Sequence, residues 1–138
     1  MPDNLAAVVL LAHGARDPRW AEPFVQVANE VRVAAPELAV AVAYLEHLPP
    51  SLGDAIRDLA RNGARSVRIV PLFFGRGGHL REDVPRLVAA IAAELPDVAI
   101  EVTLPAGDVR AVQRCLASYC VRAALGEAVK IVARARGS

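Results

Sequence analysis

Aromatic residues are scarce in this chain. They make up 4% of its 138 residues: one Trp, two Tyr and three Phe. A core cannot be built around rings, so it must come from the Ala, Val, Leu and Ile that dominate the 54% hydrophobic fraction. An excess of charge is missing too. The net charge is +1, which gives no electrostatic case for a general nucleic-acid binder. Lys130 is the only lysine among 16 basic residues, and the rest are arginine. Cysteine is limited to Cys115 and Cys120. No CxxC pair marks a structural zinc. Five positions apart on a helix of ~3.6 residues per turn, the two thiols lie about 140° apart, poor geometry for a disulfide. They read as reduced, buried thiols of a cytosolic protein. No apolar run is long: Leu5 to Ala12 is too short to cross a membrane or to serve as a secretion signal. The expectation is a cytoplasmic protein with no membrane or nucleic-acid partner. Its length suits one domain, with a core over about 5–124. Residues 125–138 form a C-terminal extension that reads as a short helix or strand.

What is present is a regular alternation of apolar runs and amphipathic stretches. Strands are expected at 6–12, 38–45, 66–73 and 98–104, and helices at about 19–34, 52–62, 82–95 and 108–124. This β-α-β-α order predicts an α/β fold: a four-stranded parallel sheet flanked by helices on both faces, joined by right-handed crossovers. Punctuation supports the boundaries. Ser51 caps the second helix and Asn62-Gly63 ends it. Asp83 and Pro85 suit the first turn of the third helix, and Pro36 and Pro96 follow the ends of the first and third. Pro71 lacks an N–H, so regular pairing of its strand is expected to stop near Val70.

Two of the strands end in a histidine near glycine. The run Ala7 to Ala12 is followed by His13-Gly14-Ala15-Arg16-Asp17-Pro18, and Val67 to Phe74 by Gly75-Arg76-Gly77-Gly78-His79-Leu80-Arg81. Strand carboxyl ends are where open α/β sheets place their ligands. Neutral imidazole binds first-row metals, and its pKa of ~6.5 suits proton transfer. Read alone, His13 serves equally well as a hydrogen-bonding turn residue, and His79 reads more readily as a chance histidine in a loop before a helix. A third strand ends in Leu45-Glu46-His47. Neighbours on an extended chain point to opposite sides, so only one of Glu46 and His47 is expected to face the site, and Glu46 is chosen. With strand order 2-1-3-4, His13, Glu46 and His79 converge, giving a set that suits Co²⁺, Ni²⁺, Fe²⁺ or Zn²⁺. Gly77 and Gly78 permit close approach by a flat ligand. Arg16, Arg76 and Arg81 suit carboxylates or phosphates. Gly-Arg-Gly-Gly is not a Walker A loop, and Ala12 before His13 removes the arginine that a histidine phosphatase needs.

Three segments carry a family resemblance: Leu11 to Pro18, Ala43-Tyr44-Leu45-Glu46, and Val70 to Pro85. Together, over roughly residues 5 to 120, they resemble the small sirohydrochlorin chelatases, the CbiX-type class II tetrapyrrole chelatases. The resemblance implies a flavodoxin-like chelatase lobe that inserts cobalt or iron into sirohydrochlorin without ATP. It implies no tightly bound cofactor, the divalent metal being a substrate, and a homodimer in place of the two lobes of longer relatives. By motif position, His13 and His79 match the metal-binding and proton-accepting histidines and Glu46 the active-site acid. For such a polyanionic substrate, Arg16, Arg76 and Arg81 are the natural candidates to receive its carboxylates, with Gly77 and Gly78 letting the flat macrocycle approach. Ala15 departs from the serine often found in that turn. A non-catalytic metal or tetrapyrrole carrier with the same ligands is the competing reading.

Overall fold

The computed structural model describes residues 5–75 and 78–127, and in the first turn of the third helix, through Arg81, it describes the backbone alone. Four strands, β1 (Leu5–Ala12), β2 (Ala39–Tyr44), β3 (Ala64–Pro71) and β4 (Ala99–Val102), form one parallel sheet in the order β2-β1-β3-β4. Four helices alternate with them: α1 (Glu22–Ala34), α2 (Leu52–Arg61), α3 (Gly78–Glu94) and α4 (Arg110–Ala124). The expected α/β architecture and strand order are both present.

Each strand carries two opposite sets of side chains, and the helices divide accordingly. Ala7, Val9 and Leu11 of β1 join Val67 and Ile69 of β3 in one core cluster. Leu52, Ile56 and Leu59 of α2 and Val84, Val88 and Ile91 of α3 close it. On the other face, where α1 packs over β1 and β2, Leu10, Ala12 and Ala28 are buried. The buried core is aliphatic throughout, with Tyr44 as its single aromatic member.

The punctuation works as its chemistry requires. Ser51 Oγ accepts from the Asp54 N–H at 3.2 Å, capping α2. Gly63, at φ +101°, turns the chain out of its far end. Pro71 still pairs in register with Leu11 as the last residue of β3, and the Leu72 N–H donates to the Leu11 carbonyl at 2.9 Å. Backbone groups alternate in direction, so the missing Pro71 N–H faces β4. There pairing already ends at Ile69↔Val102. The proline therefore terminates one ladder and leaves the other intact.

Three expectations are corrected. Helix α3 begins at Gly78, not at 82, which leaves Pro85 inside the helix instead of in its first turn. Gly78, read as loop, is accommodated at the helix start, where the N–H groups need no intrahelical partner. Cys115 and Cys120 are free but exposed, not buried. They lie on α4, none of whose described residues is buried and whose main contacts are with the short 3-10 turn Ala106–Asp108 before it. The expected secondary structure of the C-terminal extension beyond Glu127 lies outside the described residues.

Candidate active site

The site forms where β1, β2 and β3 reach their carboxyl ends. Pairing of β1 with β2 continues past the strands themselves: the Leu45 N–H donates to the Ala12 carbonyl and the Glu46 N–H to the His13 carbonyl, both at 3.1 Å. This register carries Glu46 alongside His13. Their side chains meet, with His13 Nε2 3.1 Å from Glu46 Oε1. Both are about half exposed, so the pair forms in contact with solvent. Gly14, at φ +95°, makes the approach possible, because a Cβ there would collide with the Glu46 carbonyl oxygen.

His47 does not point away from Glu46. Its φ is +68°, in a region that residues with a Cβ rarely occupy. The Leu48 N–H donates to the Glu46 carbonyl at 2.8 Å, an i to i+2 bond that closes a tight γ-turn centred on His47. The turn cancels the alternation of an extended chain and brings His47 Nε2 to 3.6 Å from the same Glu46 Oε1. Glu46 therefore stands between two imidazoles. An ionised Glu46 accepts a hydrogen bond from His13 Nε2–H, which leaves Nδ1 as the acceptor of a neutral ring, and it stabilises the imidazolium if that ring gains a proton. Both histidines aim at one oxygen rather than at a shared point. Among the described residues, no group of three His, Cys, Asp or Glu side chains is arranged to hold a metal ion.

His13 lines a cavity of about 440 Å³. Leu72, Phe73 and Phe74 belong to it, together with Trp20, Phe24, Tyr44 and Leu48. Five of the chain's six aromatic residues thus surround one cavity. The signal that could have found them was their rarity: rings that the core does not use are free to serve a site. Burial holds the Tyr44 phenol above its usual pKa, so it remains a neutral hydroxyl across the physiological range.

The arginines fare differently. Arg16 is exposed in the β1–α1 connection and does not line the cavity. Its neighbour Arg19 is held by Asp17, with Nη2 to Oδ2 at 2.6 Å, and this guanidinium keeps the Asp17 carboxyl below the ordinary carboxylate range. The backbone of Gly78, His79 and Arg81 lies in the first turn of α3, directly after the β3 connection. The His79 and Arg81 side chains, and Arg76 and Gly77 entirely, lie outside the described residues.

A doubly wound parallel sheet with a His–carboxylate pair at its strand ends and an aromatic cavity beside it defines an α/β protein built to handle a small ligand there. Comparison with known proteins gives the family: the CbiX model matches residues 7–123, and the chain belongs to that family. A sirohydrochlorin cobaltochelatase of Sulfurisphaera tokodaii is 31% identical over 72% of this chain and 78% of its own length. One from Methanocaldococcus jannaschii is 31% identical over 63% of this chain and 61% of its own. The chain thus spans less than two thirds of some of the curated relatives it matches. A crystal structure described as a cobalamin (vitamin B12) biosynthesis CbiX protein from Marinobacter aquaeolei VT8 superposes with a TM-score of 0.77 at 31% identity, covering 89% of this chain and 99% of that one. SirB from Bacillus subtilis with Fe³⁺ shares the fold at a TM-score of 0.72 and 21% identity, and this chain spans 47% of it.

Proposed function

We propose that this chain inserts a divalent metal, Co²⁺ or Fe²⁺, into sirohydrochlorin without ATP, with Ni²⁺ as a further metal its nitrogen and oxygen donors accept. The observation that carries the reading is the His13–Glu46 pair on the wall of an aromatic cavity, in a chain of the CbiX family. The names of the curated relatives support the same substrate.

The chemistry follows from what metal insertion demands. Two pyrrole N–H protons must leave as the metal enters. Neutral His13 accepts a proton, and the Glu46 carboxylate 3.1 Å from its Nε2 stabilises the resulting imidazolium. His79 is assigned to the same work by its motif position, and its place in the first turn of α3 keeps it next to the β3 connection. Arg16, Arg76 and Arg81 are assigned to the peripheral carboxylates of the substrate. The metal is a substrate here, so its ligands must release it, and a half-exposed pair open to solvent suits that need.

Sirohydrochlorin is wide and flat, and one cavity with an exposed rim covers one side of it. We infer a homodimer in which two such cavities enclose the macrocycle. Two observations support it: Trp20 and Phe74 stand at that rim 70% and 67% exposed, and α4 is left uncovered. The test is an absorbance assay with sirohydrochlorin and Co²⁺. The wild type should turn over many equivalents, and His13→Ala should lose two to four orders of magnitude in rate, the usual span of a lost general base. One stoichiometric spectral shift with no further turnover would instead mark a carrier.

A further inference from the structure

The single tryptophan of this chain stands in the open at the edge of the aromatic cavity. Trp20 is 70% exposed, although an indole is among the most rewarding side chains to bury. It is also fixed in place. The 3-10 turn Pro18–Ala21 that carries it is capped by Asp17, whose Oδ1 accepts from the Arg19 N–H at 3.0 Å, while the Trp20 N–H donates to the Asp17 carbonyl at 3.1 Å. The Arg19 guanidinium clamps the same carboxylate from outside. A side chain with two rotatable bonds on a doubly pinned turn loses little entropy when a ligand covers it.

The cavity beneath has a graded lining. Tyr44 is buried, and Phe24 and Phe73 are half-buried, while Trp20 and Phe74 rise exposed from the connections after β1 and β3. Polar groups are few on that wall, and His13 and Tyr44 supply its titratable side chains. Aromatic faces of this kind hold a flat conjugated ring by offset stacking and apolar contact, with no demand on hydrogen bonding.

We propose that Trp20 is the stacking wall for the tetrapyrrole face, a positioning residue that sets the affinity for the macrocycle and holds it over His13. The proposal rests on the chelatase reading. It assigns Trp20 to binding and not to proton transfer, since indole carries no group that titrates near neutrality. The stacking contact exists both before and after metal entry, so its loss raises KM and leaves kcat nearly unchanged.

The experiment uses the full chain and metal-free sirohydrochlorin. Because Trp20 is the only tryptophan, its emission should be quenched as the ligand saturates, with a Kd matching that from the ligand's own absorbance. Trp20→Ala should raise that Kd roughly tenfold, and Trp20→Phe should restore it to within about threefold, as expected for a stacking contact of the usual strength. Circular dichroism should be unchanged, since the ring is exposed. An unaltered Kd in Trp20→Ala overturns the assignment, whatever the turnover. So does emission that responds to protein concentration and not to ligand, which would place the ring between copies of the chain. Quenching and a weakened Trp20→Ala without any metal insertion would leave the wall standing and remove the chelatase reading. Failure of the wild type to bind sirohydrochlorin removes both.

Discussion

At the scale of single residues, the site depends on two backbone positions that have unusual torsions for opposite reasons. Gly14 takes φ +95° because it has no side chain, and the space a Cβ would need is filled by the Glu46 carbonyl. His47 takes φ +68° despite its side chain, held by the Leu48 to Glu46 bond. Strain of this kind costs on the order of 1–3 kcal/mol and persists where surrounding contacts enforce it. We expect Gly14→Ala to fail twice over. It should destabilise the chain by about 2 kcal/mol, read by urea unfolding, and it should lower chelation at least tenfold by pushing Glu46 from His13. Activity retained at the wild-type level would mean that the His13–Glu46 contact is dispensable. His47→Ala should slow turnover less than His13→Ala does, because His47 lies at 3.6 Å from Glu46 and outside the cavity lining.

At the scale of elements, strand identity and order were legible because alternation of β and α segments permits few parallel arrangements. Capping at Ser51 and the Asn62-Gly63 exit were legible because each depends on local chemistry alone. The meeting of His13 and Glu46 was legible, because their sheet positions follow from that order. What escaped depends on torsions or on distant partners. The γ-turn at His47 has no signature in Leu-Glu-His-Leu, so alternation gave the wrong side. The start of α3 was hidden by Gly77-Gly78, which break a helix in its interior but not at its beginning. The pocket aromatics come from the connections after β1 and β3, from the first turn of α1 and from β2, and only the folded sheet gathers them.

One link between elements was not visible either. Arg57 of α2 reaches Glu94 of α3, Nε to Oε2 at 3.0 Å, and also Asp54. The guanidinium holds the Glu94 carboxyl below its ordinary value of 4.5. A carboxyl with a depressed folded-state pKa contributes stability that is present above the unfolded value and is lost as pH falls through the folded one. Glu94→Gln should therefore lower Tm slightly at pH 7, with the gap from wild type closing below pH 4 and shrinking in 1 M salt. The pair is solvent-exposed, so the gap should be no more than a few degrees. A gap that survives both acid and salt would trace to packing instead.

For the whole molecule, the unequal treatment of its helices is the informative feature. Helices α1, α2 and α3 press on the sheet, whereas α4 presents Leu116 and Tyr119 to solvent, 42% and 56% exposed. With Val112 and Ala123 they make one stripe at helical spacing. If the homodimer draws on this stripe, Leu116→Glu should raise its Kd by about two orders of magnitude. A buried leucine contributes about 2 kcal/mol, and a buried unpaired carboxylate costs more. Sedimentation should then show monomers at micromolar concentration with unchanged circular dichroism. A dimer unaffected by the substitution would move the contact elsewhere.

The chain also keeps two residue alphabets apart. Its core uses Ala, Val, Leu and Ile, which exchange for one another at small cost when volume is preserved. Its cavity uses rings, which have no such equivalents. Tyr44 belongs to both sets, and Phe73 of the cavity wall packs against the core cluster. Drift elsewhere in the interior can therefore proceed with little effect on the ligand wall, and an engineer can repack the rest of the sheet for heat resistance while leaving the aromatic set untouched. The usual trade between robustness and activity falls on these two rings and on the backbone turns at Gly14 and His47.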